Sequence, residues 1–520
     1  MNVWLPLLFS LVLLVGIFIG YQLQSSMGWR TNSLKGSNNT VDEVLELVKA
    51  KYVDKINVDT LNGAAIDAVL NKLDPHTIYI PPSRVEDITA DLRGNFQGIG
   101  VEFLMIRDTM NVTSVVDKGP SEVAGIQIGD QIIKVGDSTV AGVKRNPDSL
   151  RRFIRGEKGT SVDVAILRNG KLIVKTVKRG VIPIPSVDAA YIASPGTGYI
   201  KLNKFSETTY IEFMSAMDTL KSKGMQSLIL DLRGNGGGVL ESAINIADEF
   251  LEDGKMIVYT EGANAAKKEY TATKPGVFEK GKLVVLMDEL SASASEVLAG
   301  ALQDNDRATI IGRRSFGKGL VQEQFELSNG GGLRLTVARY YTPLGRSIQK
   351  SYAGGRKLYN EEVIDRINHT GLLNDSTYKQ GKVYKTKNGK LVYGGGGISP
   401  DIYVPMDTVL YSNASAKLFG HGILLDFAFN LYKTDNGIPA QYATPTAFDT
   451  AYTLPANTWE QLVNFAKKDS IDLPTNASLK TEALQLVKAN MANFKWRKNG
   501  YYEIENANDK TFKKALEVLK

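Results

Sequence analysis

Two short segments carry the residue types that a serine hydrolase needs when lysine replaces histidine as the base. They are Ser291-Ala-Ser293-Ala-Ser295-Glu296 and Ser315-Phe-Gly317-Lys318-Gly319-Leu-Val-Gln322. Lys318 follows Ser293 by 25 positions, which leaves room for one helix and one returning strand between them. We therefore expect the two side chains to meet at one point.

Ser293 is the middle serine of a predicted helix start. A hydroxyl is a weak nucleophile without a neighbouring base, and the free amides at a helix N-terminus stabilise an oxyanion. The same pattern has a structural interpretation, because Ser293 followed by Glu296 at the third helical position is a capping box. The local pattern leaves both interpretations open.

The chain has no cysteine and three histidines, so thiol catalysis is excluded. His76 lies in a turn after a predicted helix, His369 in a polar stretch and His421 between two glycines. None of them has a companion motif, and a Ser-His-Asp triad is therefore not expected.

Lys318 is the alternative base. A lysine amine titrates near pH ~10.4 and acts as a base only when desolvation lowers that value. The flanking glycines allow a tight turn that buries the amine, although an exposed turn lysine fits as well. Gln322 offers a neutral amide to orient the amine, or it is a surface residue on a strand.

A phosphate-binding loop is a competing interpretation of the same lysine. Residues 312–318 fit the first seven positions of G-x-x-x-x-G-K, but the eighth position is Gly319 where magnesium binding needs Ser or Thr. The residues that follow alternate as in a strand. The pattern disfavours nucleotide binding.

Three successive glycines, Gly236 to Gly238, follow a buried-strand run that ends at Asp231. Their backbone amides are suited to complete an oxyanion hole, and a tight turn or a phosphate cradle would use the same residues. We expect Asp231 and Arg233 to brace this loop.

The N-terminus predicts a membrane anchor. Residues 3–20 are apolar apart from Ser10, and about 20 apolar residues span a bilayer. No Ala-x-Ala-like cleavage site follows, which favours an anchor over a cleaved signal peptide. The orientation is poorly determined, because Arg30 and Lys35 follow the segment and no Lys or Arg precedes it, against the positive-inside rule. A large domain after such a segment is usually exported, so the expected location is the inner membrane, single-pass, with the domain on the periplasmic side.

The 520 residues carry a formal charge of +6 without a basic stripe, which argues against nucleic-acid binding. The expected fold is multi-domain α+β. Its predicted parts are an anchor at 1–24, a linker at 25–40, a helical part at 41–93, a strand-rich domain at 94–180, an α/β core at 181–405 and a mixed, mostly helical region at 406–520.

Residues 94–180 resemble a PDZ domain. The resemblance rests on Phe96-Gln-Gly98-Ile99-Gly100-Val101 and on Ala124-Gly125-Ile-Gln-Ile-Gly129-Asp130-Gln-Ile-Ile133. In such a domain, consecutive backbone amides bind a terminal carboxylate and an exposed strand edge accepts an extended peptide. The carboxylate loop would be Gly98, Ile99, Gly100 and Val101.

Residues 41–405 resemble the carboxyl-terminal processing proteases, also called tail-specific proteases. Three motifs occur in order, at 231–238, 291–304 and 316–322. The resemblance implies a Ser-Lys dyad with Ser293 as nucleophile, Lys318 as base and Gln322 positioning the lysine. It implies an oxyanion hole made by the amides of Ala294 and a loop glycine, for which we favour Gly237.

The resemblance also implies PDZ-mediated capture of the C-terminal tail of protein substrates and an acyl-enzyme without metal or cofactor. Residues 406–520 extend beyond the core of that family, so we expect this region to serve partner binding or assembly. The expected partner is a second copy of the chain or an activating adaptor. A non-catalytic PDZ scaffold with an inactive protease core is the alternative function.

Overall fold

The computed structural model describes residues 12, 14–16, 40–144, 146–369, 381–406, 413–420, 422–434, 437–474 and 476–520. The predicted anchor and linker lie almost entirely outside these residues, as do His421 and the side chain of His369. Within the described part of the chain, no helix combines the length and apolarity needed to cross a bilayer. The anchor therefore remains a prediction.

The chain divides after Ala68 into two compact units. The first contains helix α1 (Thr40–Lys51) and most of helix α2 (Val58–Leu70). None of the α1 residues is buried, although its apolar residues recur at helical spacing.

The second unit begins with a short strand and a helix, β1 (Ile78–Ile80) and α3 (Pro82–Arg93). The prediction of helices throughout residues 41–93 missed β1. Its Ile-Tyr-Ile sequence favours a strand, and the strand is formed because it pairs with β18, which lies more than 250 residues later.

A strand-rich domain follows. It contains β2 (Asn95–Gly98), β3 (Val101–Ile106), β4 (Thr109–Val115), α4 (Pro120–Val123), β5 (Gln131–Val135), β6 (Ser138–Thr139), α5 (Pro147–Ile154), β7 (Ser161–Arg168), β8 (Lys171–Lys178) and β9 (Gly180–Pro183). The main sheet has the order β3-β4-β5-β7-β8, so β3 lies at one end. β2 and β9 pair separately and tie the domain's two ends together.

The core is built on a six-stranded sheet with the order β10-β11-β12-β15-β16-β21. Its elements are β10 (Val187–Ser194), β11 (Thr197–Leu202), α6 (Thr209–Ser222), β12 (Ser227–Asp231), α7 (Leu240–Asp248), β15 (Leu283–Met287), α8 (Ala294–Asp304), β16 (Thr309–Gly312) and β21 (Ile402–Tyr403). All its neighbouring pairs except β10–β11 are parallel. β12 and β15 are buried throughout, as their unbroken apolar runs predict.

A second, antiparallel sheet carries the lysine segment. It consists of β1, β13 (Met256–Gly262), β14 (Ala265–Thr271), β17 (Leu320–Glu326) and β18 (Gly332–Tyr341). β17 starts two residues after Lys318, and β18 pairs with β17, β13 and β1. Helix α9 (Gly355–His369) and the hairpin of β19 (Val383–Lys385) and β20 (Leu391–Tyr393) follow.

The C-terminal region is helical. Its helices are α10 (Asn413–Gly420), α11 (Ile423–Thr434), α12 (Pro445–Ala451), α13 (Thr458–Lys467), α14 (Ala477–Glu505) and α15 (Lys510–Leu519). Phe512, Ala515 and Leu519 of α15 pack against Tyr199 and Ile229 of the core sheet. The core sheet is thus covered on one face by α6, α7 and α8 and on the other by α15.

Candidate active site

The three serines before α8 have different environments. Ser291 is buried and its hydroxyl donates to the carbonyl of Leu232 at 2.9 Å. Ser295 is buried and donates to the carbonyl of Asn235 at 2.9 Å. Ser293 is partly exposed, so it is the serine of the three that a substrate can reach.

The backbone of Ser293 is strained. Its φ of 56° and ψ of −116° lie in a region that residues with a side chain rarely adopt. Such a conformation costs about 1–3 kcal/mol and persists only where surrounding contacts enforce it. The strain turns the chain sharply from β15 into α8 and puts Ser293 at the helix N-terminus.

Glu296 holds the segments of Ser293 and Lys318 together. One of its carboxylate oxygens, Oε2, accepts the backbone N–H of Ser293 at 2.9 Å and that of Lys318 at 2.8 Å. The other, Oε1, accepts the N–H of Gly317 at 2.7 Å and the hydroxyl of Ser315 at 2.5 Å. The carboxylate half of the capping box is therefore present, and it also reaches across to the lysine turn.

Glu296 is fully buried. Burial raises the pKa of its carboxyl to about 7, against the opposing effect of the four hydrogen bonds that it accepts. All four donors favour the ionised form.

The amine of Lys318 donates to Oε1 of Gln322 at 3.0 Å, and Nε2 of Gln322 donates to the carbonyl of His76 at 2.9 Å. Burial, together with the nearby Arg334 cation, lowers the pKa of Lys318 to about 8. The hydroxyl of Tyr340 contacts the carbonyl oxygens of both Ser293 and Lys318. The structure thus places the predicted base and its orienting amide together.

The glycine loop lies directly against Ser293. A Cβ atom at Gly237 would approach Cβ of Ser293 and the carbonyl oxygen of Ala292 to 2.7 Å and the nitrogen of Ala294 to 2.9 Å. The N–H of Gly237 donates to Oδ1 of Asn235 at 2.9 Å, so this predicted oxyanion donor is engaged in the present arrangement.

Asp231 and Arg233 brace the loop through a buried ion pair. The Asp231 carboxylate is fully buried and accepts from the hydroxyl of Tyr199 at 2.8 Å and from Nζ of Lys201 at 3.2 Å. Although burial opposes ionisation, the Arg233 and Lys201 cations hold the pKa of Asp231 well below its usual range. Arg233 also bonds to Asp509 of the C-terminal region at 2.9 Å.

The predicted carboxylate loop belongs to the strand-rich domain. Gly98, Ile99 and Gly100 are buried, and Val101 begins β3. The carbonyls of Ile99 and Gly100 accept from Ser121 and Val116, each at 3.0 Å, which fixes the loop's backbone. In the described part of the sheet β3 pairs with β4 alone, so no strand occupies its other edge.

Sequence reasoning missed three contributions to the site. Glu296 was interpreted only as a cap, although an acidic residue in a buried apolar helix indicates a partner. His76 was considered only as a base, and its carbonyl anchors Gln322. The glycine run at 394–397 was not noted, and a Cβ at Gly317 would approach its backbone to 3.1 Å.

Comparisons with known proteins identify the families of two segments of the chain. A sequence model of peptidase family S41 matches residues 196–355, and one of the PDZ domain matches residues 97–178. The carboxy-terminal-processing protease of Bartonella bacilliformis is 37% identical over 314 residues, which are 59% of this chain and 71% of that protein.

The carboxy-terminal processing protease CtpA of Bacillus subtilis is 34% identical over 360 residues, 69% of this chain and 76% of that protein. A solved photosystem II D1 C-terminal processing protease is 28% identical, covers 70% of this chain and 91% of its own, and superposes with a TM-score of 0.35.

The matched segments define a serine-type peptidase with a PDZ domain before its core. More particularly, the chain belongs to the carboxy-terminal processing proteases of peptidase family S41.

Proposed function

We propose that the protein is an endopeptidase that cleaves near the C-terminal tail of protein substrates with a Ser293–Lys318 dyad. The observation that carries the proposal is the shared carboxylate of Glu296, which holds the backbones of the two residues side by side. The lowered pKa of Lys318 makes a neutral amine accessible near physiological pH.

The proposed reaction is acyl transfer. Neutral Lys318 takes the proton of the Ser293 hydroxyl as that oxygen attacks the scissile carbonyl. The lysine then protonates the leaving amine, and a water activated by the same lysine hydrolyses the acyl-enzyme. Because Gln322 accepts one N–H of the amine, it leaves the lone pair of the neutral amine free for the serine proton.

The structure holds Ser293 and Lys318 without a hydrogen bond between the hydroxyl and the amine. A rotation that brings the Ser293 hydroxyl to the Lys318 amine is therefore part of the proposed activation. The amides of Ala294 and Gly237 are the proposed oxyanion donors. For Gly237 this role requires its N–H to leave Oδ1 of Asn235 when substrate binds.

Tail capture is proposed for Gly98, Ile99, Gly100 and Val101. Consecutive amides at this turn suit a carboxylate, and the unpaired edge of β3 suits an added peptide strand. We further propose that residues 3–20 anchor the chain in the inner membrane with the peptidase on the periplasmic side, because this run is apolar apart from Ser10.

The alternative function, a PDZ scaffold with an inactive core, is disfavoured by the desolvated lysine amine and the strained serine, which binding alone does not need. Nucleotide binding is disfavoured because the glycine-lysine turn leads into strand β17 and not into a helix whose N-terminus would hold phosphates.

The test is cleavage of an unfolded protein with an apolar C-terminus by the wild type, Ser293→Ala and Lys318→Ala. Ser222→Ala and Lys385→Ala change exposed residues and serve as matched controls. We expect the wild type and the controls to cleave and both dyad variants to lose about 10²–10⁴-fold in rate. Cleavage by Ser293→Ala would refute the assignment of Ser293 as nucleophile. Tail capture is tested separately with a substrate whose C-terminus is amidated, for which we expect a higher KM.

A further inference from the structure

A segment that precedes the PDZ domain in sequence contributes an edge strand to the antiparallel sheet that contains β17 and β18. We call residues 74–80 the strap. Its strand β1 pairs with β18, with Ile78 opposite Arg334 and Ile80 opposite Gly332. Asp74 holds the turn that precedes β1, because its carboxylate accepts the N–H of His76 at 2.9 Å and the hydroxyl of Thr77 at 2.7 Å.

His76 of the strap connects to the lysine base from one side through its backbone. Its carbonyl oxygen accepts Nε2 of Gln322 at 2.9 Å, and Oε1 of Gln322 accepts Nζ of Lys318 at 3.0 Å. A carbonyl oxygen only accepts hydrogen bonds, so it determines which end of the Gln322 amide faces the lysine. Without this contact the amide would be free to rotate and present its donor to the amine.

His76 connects to the same turn from the other side through its ring. Nε2 of His76 lies 2.9 Å from the hydroxyl of Tyr359, and Nε2 of Gln349 donates to that hydroxyl at 3.3 Å. Oε1 of Gln349 accepts the N–H of Gly319, the residue after Lys318, at 2.8 Å. The hydrogen bonds therefore close into a ring that begins and ends at the lysine turn.

The hydrogen bonds of this ring are compatible with a neutral His76. The Tyr359 hydroxyl accepts from Gln349, and it donates its own hydrogen to Nε2 of His76 when that nitrogen is unprotonated. A neutral imidazole fits its surroundings, because burial and the nearby Lys318 cation lower the pKa of His76 to about 4.

We propose that His76 is a positioning residue for the general base, acting on Lys318 through Gln322 and through Tyr359 and Gln349. The proposal rests on the proposed role of Lys318 as base. It assigns to the strap a part in catalysis, since the site is complete only when residues 74–80 are paired with β18.

The charged groups around the ring come from β18, α8, the strap, helix α9 and the loop that precedes α9. Lys318 is faced by Arg334 of β18, Glu296 of α8 and Asp74 of the strap. His76 is faced in addition by the Lys350 and Arg356 cations. The substitutions chosen below leave all of these groups in place, so a change in the pH profile reports on the ring.

The test is the pH dependence of Ser293 labelling by a fluorophosphonate in the full chain. The variants are His76→Phe, Tyr359→Phe and the double variant, with Tyr352→Phe as the matched control. Phenylalanine at position 76 retains a ring against Phe316, whose centroid lies 6.3 Å from that of His76. The Tyr352 hydroxyl bonds to Arg339 at 3.1 Å and lies outside the ring.

We expect each single variant to lower the labelling rate by about 10-fold, less than the ~10²–10⁴-fold that loss of the base itself would cost. The labelling midpoint should move to higher pH, because a loosened amine is better hydrated. The double variant should be labelled no more slowly than the slower of the two single variants, since both substitutions interrupt the same ring of hydrogen bonds.

Unchanged rates and midpoints in His76→Phe and Tyr359→Phe would overturn the inference while leaving the dyad intact. A lower rate with an unshifted midpoint and a lower Tm would show a merely structural role and would overturn it too. If His76→Phe does not fold, Tyr359→Phe decides alone. If Lys318→Ala is labelled at the same rate as the wild type, the assignment of Lys318 as base is refuted, and this inference fails with it.

Discussion

Ser293 and Lys318 donate their backbone N–H groups to the same oxygen atom, Oε2 of Glu296, at 2.9 and 2.8 Å. The two residues lie in loops next to different sheets. Ser293 follows β15 of the six-stranded sheet, and Lys318 precedes β17 of the antiparallel sheet. One buried carboxylate therefore fixes the backbones of the proposed nucleophile and the proposed base relative to each other. The geometry of the proposed dyad depends on a side chain that takes no part in the proposed proton transfers.

Replacing Glu296 with Gln should disable the site and destabilise the fold. An amide has one acceptor oxygen, so whichever way it turns, at least one of the three backbone N–H groups faces another donor. An unsatisfied buried donor costs about 1–3 kcal/mol, and displacement of the dyad by ~1 Å costs about 10²-fold in rate. Denaturant unfolding and cleavage assays measure the two effects.

Glu326→Gln is the matched control for this substitution, because Glu326 is exposed at the end of β17. It should change stability by no more than about 0.5 kcal/mol. Equal behaviour of the two variants would show that the Glu296 carboxylate does not organise the site.

The rate of Ser293 acylation should rise with pH around a midpoint of about 8, since the pKa of Lys318 is lowered to that value by burial and by Arg334. Only the neutral amine accepts a proton, so the rate follows its fraction. Fluorophosphonate labelling at a series of pH values measures the profile. A flat profile between about pH 6 and 10 would contradict a lysine base.

Lys318→Met should stabilise the protein at neutral pH while abolishing cleavage. The folded-state pKa of Lys318 lies below its ordinary value of 10.5, so between about 8 and 10.5 the unfolded chain binds more protons and wild-type stability rises with pH. Below about pH 8 the buried lysine is charged, which lowers the free energy of unfolding. Replacing it with Met should therefore raise the free energy of unfolding by about 1–3 kcal/mol.

Chemical denaturation of the wild type and Lys318→Met at pH 7 and at alkaline pH measures this difference. The two stabilities should converge as the pH rises above about 10.5, because the lysine is then neutral in both the folded and the unfolded state. A wild type that is more stable than Lys318→Met at pH 7 would argue against a desolvated amine.

Gly237→Ala should abolish activity, whereas Gly234→Ala should retain most of it. Both glycines have positive φ, 93° and 69°, so both substitutions strain the backbone by about 1–2 kcal/mol. A Cβ at Gly237 would meet Ser293 and Ala292 at 2.7 Å, while one at Gly234 meets nothing within 4 Å. Comparing kcat and Tm of the two variants separates contact with the nucleophile from backbone strain.

The local patterns predicted the contact between Lys318 and Gln322, because neighbours in sequence report on local geometry. The glycines around Lys318 indicate a tight turn, and the spacing from Lys318 to Gln322 allows the hydrogen bond of 3.0 Å that the structure contains. β1 was missed for the opposite reason. Three residues make a strand only when a partner strand is present, and β18 is distant in sequence.

The sequence by itself determined the protein's class: the PDZ and S41 peptidase segments match residues 97–178 and 196–355. Only the tertiary structure showed that Ser293 is partly exposed whereas Ser291 and Ser295 are buried. It also brought Glu296 and His76 to the lysine turn. Burial and long-range hydrogen bonding decide these relationships, and both arise only when segments remote in sequence pack together.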